Sequence, residues 1–280
     1  MIRFEDESEA IRDAASAESA DLAAAVTSLA EPAVLLTILA VVFWVGNRRR
    51  TALVLSYGVA ALGFYVSLEA LLGLPHSLES ALLAPAEVGA DGFPSGHAFG
   101  AMVVYGGLVG AYERLRDPLA VAIAGALIVA VSLSRVILGT HYLGDVLVGA
   151  ALGVGFVIAM NRLTRGAPVV GFLIAAVLAG LAVFLPETAA YDVLALGAAL
   201  GGLLTAGWID RLPSPRSRLE AAVLVVAGVA VVAAIRLVET ALEFAPLLVA
   251  LYAAFVAWVV FAPELVGRLS SALDRTRVES

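Results

Sequence analysis

The chain has 280 residues, 61% of them hydrophobic and 15% charged, with a mean hydropathy of +0.98. A soluble domain is nearer half apolar and a quarter charged, so a water-soluble globular fold is excluded. There is no cysteine, which excludes disulfides and thiolate metal sites; all 17 basic residues are arginine and the formal net charge is −7, so no nucleic-acid partner is expected.

Residues 1–22 read as an acidic, alanine-rich flank with seven carboxylates in the first 21 positions, expected to be disordered or to lie as a surface helix. They lack the basic-then-apolar order of a signal peptide and are expected to be retained. Apolar stretches then recur at about 24–46, 52–74, 95–113, 118–138, 141–161, 168–186, 190–209, 219–239 and 244–262. Most have the roughly 17–25 residues that cross a hydrocarbon core. A backbone in lipid must satisfy its own hydrogen bonds, so the expected fold is all-α: a polytopic membrane helix bundle of about nine transmembrane helices. NRRR (47–50), YERLRDP (112–118), NRLTRGAP (161–168), DRLPSPRSR (210–218) and the tail after Pro263 break the stretches with charge, proline or glycine.

With nine spans, those breaks and the tail fall on one side of the membrane. They hold Arg48, Arg49, Arg50, Arg114, Arg116, Arg162, Arg165, Arg211, Arg216, Arg218, Arg268, Arg275 and Arg277, 13 of the 17 arginines. Arginine-rich loops stay in the cytoplasm. The expectation is a multi-pass protein of the cell membrane, with its N-terminus outside and residues 264–280 as a cytoplasmic tail.

Two stretches are out of character with the apolar background. GFPSGHAFGAM (92–102) opens the third stretch with a serine, a glycine and His97; SRVILGTHYLGD (134–145) joins the fourth to the fifth and carries His141. His141 and Asp145 are four residues apart at the start of a helix and share a face. A carboxylate there accepts the ring N–H of His141, fixes its tautomer and leaves the other nitrogen free. Arg135 offers a planar guanidinium suited to a phosphate or carboxylate. Ser95 and Gly96 begin a helix, where outward backbone amides make an anion cradle. His76 follows the second stretch at the same level. Ionisable groups in membrane segments are functional candidates. No spacing suggests a metal site, and no cofactor is expected.

Pro94-Ser95-Gly96-His97, followed by Ser134-Arg135, five residues, His141, three residues and Asp145, resembles the second and third signature motifs of the type 2 phosphatidic acid phosphatase family, which shares its helical core with vanadium haloperoxidases and bacterial acid phosphatases. The resemblance covers about residues 24–165. It implies a phosphatase-like membrane core at 23–166, with the catalytic part in the first five to six helices. Residues 167–263 would be additional transmembrane helices of unknown role. By resemblance, His141 is the nucleophile that forms a phosphohistidine, Asp145 its orienting acid and His97 the acid that protonates the leaving alkoxide. Ser95, the Gly96 amide and Arg135 hold the phosphate oxygens.

The family's first motif, a lysine and, six residues later, Arg-Pro, has no match here. Glu69 occupies the lysine place, His76 the arginine place and Ser77 the proline place. The implied function is a metal-independent lipid phosphate or polyprenyl (di)phosphate phosphatase taking substrate from the outer leaflet, with His76 partly replacing the arginine. A divergent phosphotransferase and a non-catalytic lipid-phosphate binder or transport-type protein on the same scaffold stay open, because the clamp is altered.

Overall fold

In the computed structural model, the described residues are 3–74, 92–185, 190–212, 218–239, 241 and 244–278, and no strand occurs among them. Among these residues twelve α-helices follow one another: α1 (Glu5–Asp13), α2 (Ala17–Thr27), α3 (Pro32–Val45), α4 (Arg48–Leu72), α5 (Gly96–Ala101), α6 (Gly107–Ala111), α7 (Pro118–Ile137), α8 (Leu143–Thr164), α9 (Pro168–Ala182), α10 (Ala190–Ala206), α11 (Arg218–Glu239) and α12 (Ala245–Val278). A π-helical turn, Met102–Gly106, joins α5 to α6.

The breaks read from the sequence act as helix caps. Asn47 starts α4 by accepting from the Arg50 amide at 3.0 Å, and Gly73, at φ +55°, ends it. Asp117 accepts from the Leu119 and Ala120 amides at 3.1 and 3.3 Å, with Pro118 next in the first turn of α7.

Among the described residues, five helices are long and apolar enough to cross a membrane: α4, α7, α8, and the segments Glu220–Glu239 and Ala245–Gly267. The protein is a multi-pass membrane protein. The expected first span at 24–46 is divided: α2 and α3 meet at a 57° bend, and together they give at most a sixth crossing. Glu31, in extended conformation, caps α3 and Pro32 opens it, so the helix cannot run straight through. Gly96–Ala111, Pro168–Ala182 and Tyr191–Ala206 are shorter apolar helices. The flank, expected to be disordered or a surface helix, is helical and largely exposed: α1 and α2 lie on α7, with α1 also touching α8.

Lipid tails provide no hydrophobic force between helices, so close packing at small residues holds such a bundle. A Cβ at Gly149 of α8 would lie 2.5 Å from the Ser95 carbonyl oxygen, and one at Gly153 would lie 2.7 Å from the Met102 Cβ. These glycines let the α5 segment lie directly on α8. Gly63 does the same for α4 and α9, where a Cβ would meet the Ala179 nitrogen at 2.7 Å. The later helices join the same body: α10 packs on α4 and α9, α12 on α10, and α11 on α3. The Trp44 indole donates to the Val259 carbonyl at 2.8 Å.

The arginine-rich breaks meet at one end of the bundle. Arg49 donates to the Gly166 carbonyl and pairs with Asp210 at 3.4 Å; Arg50 pairs with Glu113 at 3.2 Å; and the Asn47 amide donates to the Tyr112 hydroxyl at 3.0 Å. The start of α5, the end of α7 and the start of α8 lie at the other end.

The glycine contacts make a test. Gly149→Ala must displace the Ser95 backbone and should destabilise the protein by about 1–3 kcal/mol, as overpacking does. Gly155→Ala on the same helix meets nothing within 4 Å and should be neutral or slightly stabilising. Thermal unfolding in detergent compares the two; equal behaviour would show that α5 does not depend on this approach.

Candidate active site

The path from α7 to α8 explains how His141 is held. The helix ends at Ile137, and Gly139, at φ +75°, turns the chain back. A non-glycine residue strains in that region. The Arg135 carbonyl then accepts from the Thr140 amide at 3.1 Å, the Thr140 hydroxyl at 3.0 Å and the His141 amide at 3.3 Å. His141 is thereby tied to the residue that carries the site's guanidinium. Its side chain is buried.

Asp145 begins α8 and is fully buried. Its Oδ2 accepts from the Tyr142 amide at 2.9 Å, the reciprocal half of a capping box. The His141 Nδ1 lies 3.8 Å from the same oxygen. The carboxylate therefore faces Nδ1, at a separation longer than the hydrogen bond expected from the i, i+4 spacing.

The Ser95 amide donates to the Asp145 backbone carbonyl at 3.1 Å, which locks the PSGH turn onto the start of α8. The Ser95 oxygen accepts from the Ala98 amide at 3.5 Å. The immediate neighbours of His97, Arg135 and Asp145, namely Ala98, Val136 and Val146, form one buried apolar cluster. This cluster brings the PSGH turn together with both ends of the 134–145 stretch. Phe99, two residues beyond His97, packs with Phe64 at 5.9 Å and Phe156 at 5.5 Å between ring centroids and makes an aromatic floor.

Two amides expected to face outward are engaged. That of Ser95 meets Asp145 as above, and that of Gly96 hydrogen-bonds the Tyr65 oxygen. A Cβ at Gly96 would fall 2.5 Å from the Tyr65 ring, so only glycine permits this contact. Tyr65 also donates to Glu69 Oε1 at 2.8 Å. Glu69, at the expected lysine place, is therefore held one turn along α4 by a tyrosine that touches the PSGH turn. Arg135 Nη1 reaches Thr27 Oγ1 at 3.4 Å, while its buried Nε has no hydrogen-bond partner among the described residues. His76 and Ser77 lie outside the described residues. No group of three His, Asp or Glu side chains able to hold a metal occurs among the described residues.

One participant was missed in the sequence. Arg3 donates Nε to Asp145 Oδ1 at 2.8 Å and Nη2 to Oδ2 at 2.7 Å, a two-pronged ion pair from the N-terminal segment. No sequence signal marks it, because 142 positions separate the partners.

Residues 70–168 match the PAP2 superfamily, whose members are phosphatases. The matched segment runs from the end of α4 to the first residue of α9. It contains the PSGH turn, Arg135, His141 and Asp145, and leaves out α1–α3, Glu69 and the later helices. No curated protein and no solved structure matches the chain.

The turn geometry predicts that Gly139→Ala costs about 1 kcal/mol or more, because alanine must enter the left-handed region. Gly139→Asn should lose less, since asparagine tolerates that conformation. Chemical or thermal unfolding of the two variants reads the difference; identical losses would argue against a conformational cause.

Proposed function

We propose that the protein is an integral-membrane phosphatase that cleaves a lipid phosphate or diphosphate through a phosphohistidine. The observation that carries this reading is the gathering of Ser95, Gly96, His97, Arg135, His141 and Asp145 at one end of the bundle, inside the segment that matches a phosphatase superfamily. Phosphoryl transfer requires positioning and charge stabilisation more than elaborate covalent chemistry. Each requirement has a candidate group.

His141 Nε2 attacks phosphorus in line with the leaving oxygen, a P–N bond forms and the P–O bond breaks. The Nδ1 proton stays on the ring and is held by Asp145. His97 gives its proton to the leaving alkoxide, then takes one from the water that hydrolyses the phosphohistidine. Arg135 and the Ser95–Gly96 turn hold the phosphate oxygens. A phosphate oxygen on the Gly96 amide replaces the Tyr65 oxygen that occupies it in the resting protein.

A lipid substrate fits the surroundings. An apolar crevice between α4 and the α5 segment is lined by Tyr65, Gly96, Phe99, Gly100, Val103 and Val104, so a chain can lie beside the turn that would hold its phosphate. The orientation follows from charge. The arginine-rich end belongs in the cytoplasm, which puts the site on the outer side and the substrate in the outer leaflet.

Glu69 supports a second reading. An acid held by Tyr65 beside the PSGH turn adds negative charge where the family has a lysine. Such a site binds phosphate less strongly, as a weak or non-catalytic lipid-phosphate binder would.

The deciding experiment is phosphate release from phosphatidic acid and a polyprenyl diphosphate by detergent-purified protein in EDTA. Turnover is expected, and its absence on both substrates favours the binder. His141→Ala should abolish turnover and Asp145→Asn should slow it by about 10⁴-fold, the scale seen when an orienting acid is neutralised. Normal turnover in His141→Ala would remove the phosphohistidine route. His97→Ala should impair alkyl phosphates far more than an activated aryl phosphate, whose leaving group needs no proton.

Orientation has its own check. A cysteine at Phe184 should react with an impermeant maleimide on intact cells, and one at Leu115 should not. Both side chains are exposed, and the protein has no native cysteine to interfere. The reverse pattern would place the site in the cytoplasm.

A further inference from the structure

The N-terminal segment reaches the His141–Asp145 pair, although it lies outside the stretch that matches the phosphatase superfamily. Three separate contacts fasten it there. The Arg3 guanidinium makes the two-pronged pair with the Asp145 carboxylate. The Arg3 carbonyl accepts from the Gly144 amide at 3.0 Å. The Ser8 hydroxyl accepts from the Leu143 amide at 2.8 Å. The last two satisfy amides in the first turn of α8, which have no partner within the helix. The Arg3 guanidinium also lies over the Tyr142 ring, 4.7 Å from its centroid.

The fit is close. A Cβ at Gly144 would approach the Arg3 Cα at 2.9 Å and its carbonyl carbon at 3.0 Å. Gly144 is therefore the residue that admits the segment. The charge argument points the same way. Asp145 has no solvent exposure, and a buried carboxylate needs a cation and hydrogen bonds to stay ionised. Arg3 supplies both, on both oxygens. Its fork fixes the carboxylate plane so that Oδ2 faces His141 Nδ1, 3.8 Å away.

We propose that Arg3 is a positioning residue for the reaction: carried in by the N-terminal segment, its two-pronged contact keeps Asp145 ionised and aimed at His141, so that turnover requires the segment to be docked. The inference rests on the phosphatase reading. Both prongs of Arg3 are engaged on Asp145, so its loss should act through that carboxylate, on kcat, and leave substrate affinity alone.

The test measures kcat and KM of the full chain on phosphatidic acid in detergent micelles, for wild type, His141→Ala, Arg3→Ala, Arg3→Lys and Gly144→Ala. Arg3→Ala should lower kcat on the order of ten- to a hundredfold, the range typical when the partner that orients a site ligand is removed, with KM within about twofold of wild type. Arg3→Lys should recover part of the loss, because an ammonium restores the charge but not the fork. Gly144→Ala leaves every proposed site group unchanged and favours the helix; it should still lower kcat, because its Cβ pushes Arg3 away.

Wild-type turnover that His141→Ala abolishes and Arg3→Ala leaves unchanged would overturn the role of Arg3 and keep the phosphatase. A higher kcat in Arg3→Ala would overturn it as well, since Arg3 would then be withholding Asp145 from His141. No turnover in wild type would remove the phosphatase reading and this role with it. Should Arg3→Ala fail to fold, Arg3→Lys and Gly144→Ala decide: unchanged kcat in both overturns the proposal, and reduced kcat at unchanged KM upholds it.

Discussion

A single buried carboxylate organises this end of the molecule. Asp145 has no contact with solvent, yet its side chain and backbone engage two segments distant in sequence as well as the start of its own helix. The carboxylate takes Arg3 from the N-terminus and the Tyr142 amide from the start of its own helix, and its carbonyl takes the Ser95 amide from the PSGH turn. A charge in low dielectric is costly unless paired and hydrogen-bonded, so these contacts cannot be loosened one at a time. The same group that faces His141 Nδ1 also determines where α5, α8 and the N-terminal segment meet.

Glycines on α8 make that meeting possible. Gly144 admits Arg3, Gly149 admits the Ser95 carbonyl and Gly153 admits Met102 and the Phe99 carbonyl. Each removes a side chain where another backbone has to pass. In a bilayer, where apolar surface has no water to escape, such close approach is the main source of helix association. The wide turn at Met102–Gly106 falls beside Gly153, consistent with the frequent placement of π-turns near functional sites.

Polarity is divided between the ends of the bundle. Arg49 and Arg50 knit the arginine-rich breaks together through Gly166, Asp210 and Glu113 at one end. At the other, Arg135 keeps a buried Nε without a partner among the described residues. Under the proposed function, that donor is one of the groups left to meet a phosphate oxygen. Arg3 fulfils its own fork on Asp145, whereas Arg135 retains capacity.

The sequence by itself determined the local features. Apolar length set the helices, Asn47, Asp117 and Pro168 set their starts, and the i, i+4 spacing set His141 facing Asp145. These are legible because hydropathy, capping and helical periodicity act within a few residues. The tertiary structure alone decided the rest. The first apolar stretch divides at Glu31–Pro32, and α7 is the surface on which α1 and α2 lie. Glu69, seen in the sequence only as a missing lysine, is held by Tyr65. Arg3, one of four arginines on the poorer side of the charge count, closes on Asp145. Nothing in composition distinguishes Arg3 from Arg12, because a contact across 142 residues depends on where packed helices bring two backbones together, here against the glycine at 144.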